Sequence, residues 1–287
     1  MPKSSILRQT EIGSIIDPAD PPLSEIFHEN TKLHEVSLPN AEWVATQFSF
    51  DDIAAMLGAR KVFPYRRSIA LDLRHDADGP VADPSFQSVV RARRTVRRFG
   101  PAPLSFAALS GVLDLSYGVT GESVYPGGLV GRHRAAPSAG ALYPAEIYLY
   151  ARNVDGLAAG LYHYAPEQRA LAEIDAGDHL AAVWRACCEQ DYAQQAAVTI
   201  FITGVFARTK SKYGERGYRY VLLDIGHLGE NLCLAATAAD LAITTTCAFY
   251  DDAVNRLLGV DGLDEAAAYV AFLGPKADDE TEGARTD

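Results

Sequence analysis

The chain has 287 residues, of which 48% are hydrophobic and 22% charged, with 23 Gly and 15 Pro, the proportions of a globular protein with one large domain and a sizeable core. Collagen-like, disordered and disulfide-stapled classes are excluded. Its 26 Lys and Arg against 37 Asp and Glu give a net charge of −11, which repels polyanions and argues against a nucleic-acid partner.

Residues 1–22 are polar, contain Pro18, Pro21 and Pro22, and show no sustained period, which predicts a flexible N-terminal arm. The arm lacks the apolar run and cleavage site of a secretory signal, and no later run reaches the about 18 residues that span a bilayer. The reading is a cytoplasmic protein without a membrane partner. Residues 23–85 form an N-terminal extension, 86–276 the catalytic domain, and 277–287 a disordered acidic tail.

Within the catalytic domain, Ser105 is a good N-cap, and Phe106, Leu109, Val112, Leu113 and Tyr117 recur on one helical face up to Gly118, a C-terminal cap glycine. GGLVG from Gly127 reads as a flexible loop. AEIYLYAR from Ala145 alternates Ile147 and Leu149 with Tyr148 and Tyr150, VTIFITGVF from Val198 is rich in β-branched residues, and AAYVAFLG from Ala267 repeats the signal, giving three strands. A helix from about Tyr220 to Leu241 carries Leu222, Ile225, Gly226, Gly229, Leu232, Ala236 and Ala239 on a small apolar face suited to close packing in a core or a dimer interface. This irregular alternation predicts an α+β fold, a mixed sheet flanked by helices.

Four cysteines without CxxC spacing and seven histidines without HxH or HExxH spacing predict neither a disulfide framework nor a metal site. GxSxG, P-loop and strand-linked GxGxxG motifs are absent, which disfavours a nucleophile-elbow hydrolase, a P-loop nucleotidase and a Rossmann dehydrogenase. Basic residues concentrate instead in RARRTVRR from Arg91, with Thr95 inside it, and between Arg208 and Arg219. Such runs are either an anion site or solvated helix ends paired with acids. APSAGALYP from Ala136 puts small residues before a strand, where backbone could approach a flat ring, or where a plain Pro and Gly loop would do. In SKYGERGYRY, Lys212 beside Tyr213 is either a base assisted by a proton-sharing phenol or a solvated lysine next to a core tyrosine.

In this order, RRTVRRF, APSAGALYPAEIYL, GLYHY and KYGERGYRYVLLDIGHLGENLCLAA, with FHENTKL from Phe27 in the extension, resemble the nitroreductase-fold flavoproteins over about residues 23–275. More narrowly they are similar to the SagB-type dehydrogenases, the azoline oxidases of thiazole/oxazole-modified peptide biosynthesis. The resemblance implies a homodimer with one FMN per subunit in an interface cleft. It implies that Arg93, Arg94, Thr95 and Arg97 hold the FMN phosphate and pyrimidine edge, and that Pro137, Ser138, Ala139 and Gly140 line the ring. Ala141 and Tyr143 replace the Asn and Gln of ordinary nitroreductases, as in the azoline-oxidase subgroup. Lys276 stands where many nitroreductases end in a basic pair completing the phosphate site. Lys212 and Tyr213 would be catalytic, and the substrate an azoline-containing peptide or carrier-bound intermediate, met in a complex with a cyclodehydratase. A generalist NAD(P)H-dependent nitroreductase or quinone reductase, and a non-catalytic peptide-docking subunit, are the alternatives.

Overall fold

Every residue of the strand Ala145–Ala151 is buried, so each of its two side-chain faces must be covered by its own layer. The computed structural model describes residues 23–32, 48–63, 66–73 and 84–277 of the chain. Two units divide it, residues 1–49 and 50–287. The expected arm over 1–22, and all but the first residue of the expected acidic tail, lie outside the described residues. In the first unit, helix α1 (Leu23–Asn30) ends with the Thr31 hydroxyl and the Asn30 side-chain amide donating to the Phe27 and Ile26 carbonyls, and the Thr31 N–H also donates to the Phe27 carbonyl.

The larger unit runs α2 (Phe50–Gly58), β1 (Ser68–Ala70), α3 (Phe86–Ala92), β2 (Leu104–Ser105), α4 (Phe106–Tyr117), β3 (Val119–Val124), β4 (Val130–Arg134), β5 (Ala145–Ala151), β6 (Val154–Asp155), β7 (Gly160–Ala165) and β8 (Ala170–Ala176). There follow α5 (Leu180–Ala186), α6 (Asp191–Gln195), β9 (Val198–Val205), α7 (Phe206–Tyr213), α8 (Gly217–Ala238), β10 (Ala242–Thr246), α9 (Asp251–Leu258) and β11 (Glu265–Gly274). Seven strands form an antiparallel sheet in the order β1-β8-β7-β5-β9-β11-β10. A short β2-β6 pair is parallel, and β3-β4 is a separate hairpin. This is the expected α+β architecture, strands of mixed pairing flanked by helices.

Ile147 and Leu149 of β5, with Ile200, Ile202 and Leu273, pack beneath α4 and α8 through Leu109, Leu113, Val221 and Leu228. Tyr148 and Tyr150, with Phe201 and Phe272, meet Val183 of α5 and Val254 and Leu258 of α9 on the opposite face. Each such side chain contributes about 1.5–3 kcal/mol of burial, so the two cores together fix the register of the central strands. Helix α4 starts where its cap predicts, with Ser105 Oγ accepting from Ala108 N at 3.1 Å. Gly118 ends it for another reason than expected. Its φ is −62°, outside the left-handed region, and a side chain there would collide with the Asp114 carboxylate. GGLVG is the tip of the β3-β4 hairpin rather than a loose loop; Gly127 takes φ 82° and the Phe50 ring fills the place of its missing Cβ.

Helix α8 also differs from its expected face. Val221, Asp224, Ile225, Leu228, Gly229, Leu232, Ala235 and Ala236 are buried, whereas Leu222 is 44% exposed and Gly226 is also exposed. The apolar surface of this helix is wider than the core beneath it.

Two carboxylates are buried in the sheet. Glu265 accepts from Tyr148 Oη and Thr203 Oγ1, both at 2.7 Å, and pairs with Lys61, tying the segment after α2 to the central strands. Glu146 of β5, 3% exposed, lies 2.6 Å from Arg208 Nη2 and accepts from His163 Nε2 at 2.7 Å. Burial alone would raise the Glu146 carboxyl, but the His163 hydrogen bond and the Arg208 charge hold it below the usual carboxylate range.

Glu146→Gln keeps the shape yet strips Arg208 of its counter-charge, and is expected to lower the unfolding free energy in urea by about 3–5 kcal/mol at neutral pH. Because the native carboxyl sits below its ordinary range, its contribution is present in full above that range and is lost as pH falls through the lowered native value. The gap between wild type and variant should therefore narrow in acid; a gap that stays constant would place the cost in packing instead.

Candidate active site

The loop that precedes β5, from Ala135 to Pro144, is held from three directions. Arg208 Nη1 donates to the Tyr143 carbonyl at 3.0 Å, so the residue that neutralises Glu146 also anchors the loop's C-terminal end. The Arg134 N–H donates to Tyr143 Oη at 3.1 Å, and the Arg134 guanidinium lies 4.5 Å from the Tyr117 ring centre and 5.1 Å from that of Tyr143. Ser138 Oγ donates to Asp224 Oδ2 at 2.6 Å and accepts from Tyr143 N at 2.9 Å. Ala139 N approaches both Asp224 oxygens at 3.3 Å.

These bonds hold a strained backbone. Gly140, Ala141 and Tyr143 have φ of 64°, 55° and 46°, and the left-handed region costs a residue with a side chain about 1–2 kcal/mol. The strain places Gly140 directly against Lys212 and Tyr213. A Cβ on Gly140 would stand 2.7 Å from Tyr213 Oη and 3.0 Å from Lys212 Nζ. Both residues are half-buried in the last turn of α7, which Gly214 closes with φ 58°. Lys212 Nζ lies 5.5 Å from the Tyr213 ring centre, and the Tyr213 and Tyr220 rings meet edge to face at 5.0 Å. Burial, with Tyr220 and Asp224 nearby, pushes the Tyr213 hydroxyl above its usual range. Burial likewise pushes the Asp224 carboxyl up, against the opposing bonds from Ser138 and Ala139.

A second group lies elsewhere. Arg93, Arg94 and Thr95, after α3, line a cleft of about 420 Å³ with Leu222, Ile225 and Gly226 of α8, Ile243 and Thr244 of β10, and Tyr269 of β11. Thr244 Oγ1 is buried there with no hydrogen-bond partner among the described residues. Arg94 Nη1 donates to the Arg91 and Arg93 carbonyls at 2.8 Å each, which caps the end of α3. Two arginines outnumber the one acid of the lining, Glu230, and with the Thr95 hydroxyl, the unanswered Thr244 hydroxyl and apolar walls they fit a flat cofactor that carries a phosphate. Of the other expected ligands, Arg97 does not line this cleft, and Lys276 pairs with Asp240 outside it.

The expected site residues thus separate into two sets. Pro137, Ser138, Ala139 and Gly140 gather with Lys212 and Tyr213 around Asp224, whereas Arg93, Arg94 and Thr95 face Gly226. Two residues apart on a helix means directions roughly 200° apart, so within one chain the sets lie on opposite sides of α8. The basic run between Arg208 and Arg219 is not one anion site, because Arg208 is spent on Glu146 and Lys210 pairs with Glu215 at 2.9 Å. Asp224 went unnoticed in the sequence; its signal was a lone acid three residues from Val221 and four from Leu228 on an apolar stripe. Among the described residues no group of three or more His, Cys, Asp or Glu could hold a metal ion, and no helix is long and apolar enough to cross a membrane.

A model of the nitroreductase family matches residues 90–274, more than half of the chain. A nitroreductase-like protein of Methanocaldococcus jannaschii is 35% identical over 177 residues, 61% of this chain and 84% of that protein. The microcin B17-processing protein McbC of Escherichia coli is 29% identical over 152 residues, 51% of this chain and 56% of McbC. The crystal structure of a nitroreductase-like protein from Anabaena variabilis superposes with a TM-score of 0.68 at 30% identity, covering 87% of this chain but 45% of that one. The chain therefore spans about half the length of the last two.

Gly140→Ala tests the contact between loop and helix. An alanine there must hold φ 64° with its Cβ against Tyr213 Oη. The variant should lose about 1–2 kcal/mol in urea unfolding and expose Tyr213 to faster nitration by tetranitromethane, mapped by mass spectrometry. Unchanged stability and unchanged nitration would show that the loop and the pair are not in contact.

Proposed function

The chain belongs to the nitroreductase family, a family of oxidoreductases, and from that premise we propose that it is an FMN-dependent dehydrogenase that aromatises a thiazoline or oxazoline to a thiazole or oxazole in a peptide or carrier-bound substrate. The observation that carries the proposal is the seating of Lys212 Nζ and Tyr213 Oη side by side on a backbone position without a side chain. Only a glycine lets the two proton-handling groups come together against the loop at that point. The likeness to McbC, a microcin B17-processing protein, supports a modified peptide as the setting. The proposal takes a cyclodehydratase as the preceding partner.

Arg93, Arg94 and Thr95 would hold the FMN phosphate end, with Thr244 Oγ1 offering a further polar contact, and the segment from Pro137 to Gly140 would face the ring. Bound FMN supplies the two-electron acceptor for a hydride leaving the azoline. The chain's own residues handle the accompanying proton. Burial keeps Tyr213 protonated through the neutral range, which suits it to donate or relay rather than to act as the base. Lys212 would accept the proton from the ring Cα. Arg97 and Lys276 have no part in this proposal, since neither reaches the cleft.

The separation of the two sets by α8 supports a homodimer in which one protomer's loop, Lys212 and Tyr213 complete the cleft of the other. Leu222 and Leu223 on α8, with Phe86 and Val90 on α3, are exposed apolar side chains that such an interface would cover.

Lys212→Ala is expected to retain FMN yet lose azoline oxidation by about 10² or more, the usual contribution of a positioned base. Tyr213→Phe, which keeps the ring and removes the hydroxyl, should also slow it. The assay is turnover of an azoline-containing peptide, followed as the mass loss of two hydrogens, beside NAD(P)H-driven nitro reduction. Azoline oxidation at the wild-type rate in Lys212→Ala would overturn the assignment, and nitro reduction alone in every protein would favour a generalist reductase.

A further inference from the structure

Asp224 is the only acid on the buried stripe of α8, 6% exposed between Val221 and Leu228. A carboxylate in that position is costly unless hydrogen bonds replace its lost hydration, and every bond it accepts comes from the loop before β5. The Ser138 bond, at 2.6 Å, is as short as charge-assisted O–H···O⁻ bonds are, about 2.5–2.7 Å. With its hydroxyl hydrogen directed at Asp224, Ser138 Oγ turns its lone pairs to the Tyr143 N–H. One carboxylate therefore holds the N-terminal end of the 138–143 segment directly and its Tyr143 end through the Ser138 hydroxyl. Inside that segment lie the three left-handed residues Gly140, Ala141 and Tyr143, two of which carry side chains that disfavour this backbone.

A strained segment persists only where its surroundings over-determine it. Arg208 holds the Tyr143 carbonyl, but among the described residues no side-chain hydrogen bond from the sheet reaches Ser138 or Ala139; that half of the grip belongs to α8. We infer that Asp224 is the positioning residue of the site, clamping the 138–143 segment in the strained form that sets Gly140 against Lys212 Nζ and Tyr213 Oη. Without the clamp, Ala141 and Tyr143 relax toward negative φ, and Gly140 moves off the pair. The effect on turnover rests on the proposal that Lys212 and Tyr213 handle the proton; the effect on the loop does not.

The test uses the full-length chain as wild type, Asp224→Ala, Asp224→Asn, Ser138→Ala and Lys212→Ala. Hydrogen exchange followed by mass spectrometry reads the loop directly. In Asp224→Ala the amides of 138–143 should exchange about tenfold faster or more, the loss of one hydrogen bond to a charged group, with β5 and β9 still protected. Asp224→Asn keeps an oxygen that can accept from Ser138, and should recover part of that protection. The rate of azoline oxidation should follow the same order, lowest in Asp224→Ala and partly restored in Asp224→Asn. Should Asp224→Ala fail to fold, Ser138→Ala cuts the same link from the loop side and must loosen the same amides. Loop exchange at the wild-type rate in Asp224→Ala or Ser138→Ala, or exchange rising equally through the whole sheet, overturns the inference. Full activity in Lys212→Ala beside a loosened loop in Asp224→Ala would sink the proton-handling assignment and leave the clamp standing.

Discussion

A charge can stay at the centre of a sheet only if it is answered there, and Glu146 is answered by Arg208 and His163. The answer has consequences well beyond β5. Arg208 belongs to the first turn of α7, whose last turn carries Lys212 and Tyr213, so the ion pair fixes where that short helix starts. The same guanidinium holds the Tyr143 carbonyl, and with it the C-terminal end of the loop that faces the pair. One buried interaction thus sets both walls of the candidate site, the helix on one side and the strained loop on the other.

The strain has its own logic. Gly140 is the residue at which the loop meets the Lys212 and Tyr213 tips, and its lack of a side chain is required by that approach as well as by its φ. Ala141 and Tyr143 gain nothing comparable from their left-handed backbone, so neighbouring bonds must hold them. Arg208, Arg134 and Asp224 supply those bonds from three different elements. Rigid support of this kind is what a site needs when two proton-handling groups must meet a ring within a fraction of an ångström.

Much of the scaffold was legible in the sequence because it follows local rules. The Ser105 cap, the β-branched run from Val198 and the alternation from Ala145 each announce their element. The alternation of Ile147 and Leu149 with Tyr148 and Tyr150 announces a strand without saying that both its faces are covered, yet the tyrosines lie under α5 and α9. Of the site, the bare run from Ser138 to Gly140 and the Lys212–Tyr213 pair stood out by residue type alone. Asp224 did not, and Arg208 stood out only as one of a basic run, because their partners lie 86 and 62 residues away in the chain, Ser138 and Glu146, and no local pattern signals such a pairing. The left-handed backbone of Ala141 and Tyr143 was equally hidden, since only tertiary bonds make it tolerable.

Helix α8 separates, within a single chain, the cleft beside Gly226 from the Lys212 and Tyr213 pair beyond Asp224. The proposed enzyme works only if a second copy brings the two together, and hybrid dimers test that directly. Chains carrying Arg93→Ala, which weakens the hold on the cofactor phosphate by about 1.5–3 kcal/mol, would be co-expressed with chains carrying Lys212→Ala and the differently tagged hybrid isolated. At limiting FMN each parent should be nearly inactive on an azoline peptide, and the hybrid should regain roughly half of wild-type turnover, because one of its two composite sites is intact. A hybrid as inactive as its parents would mean that each site lies within one chain, and would contradict the composite site.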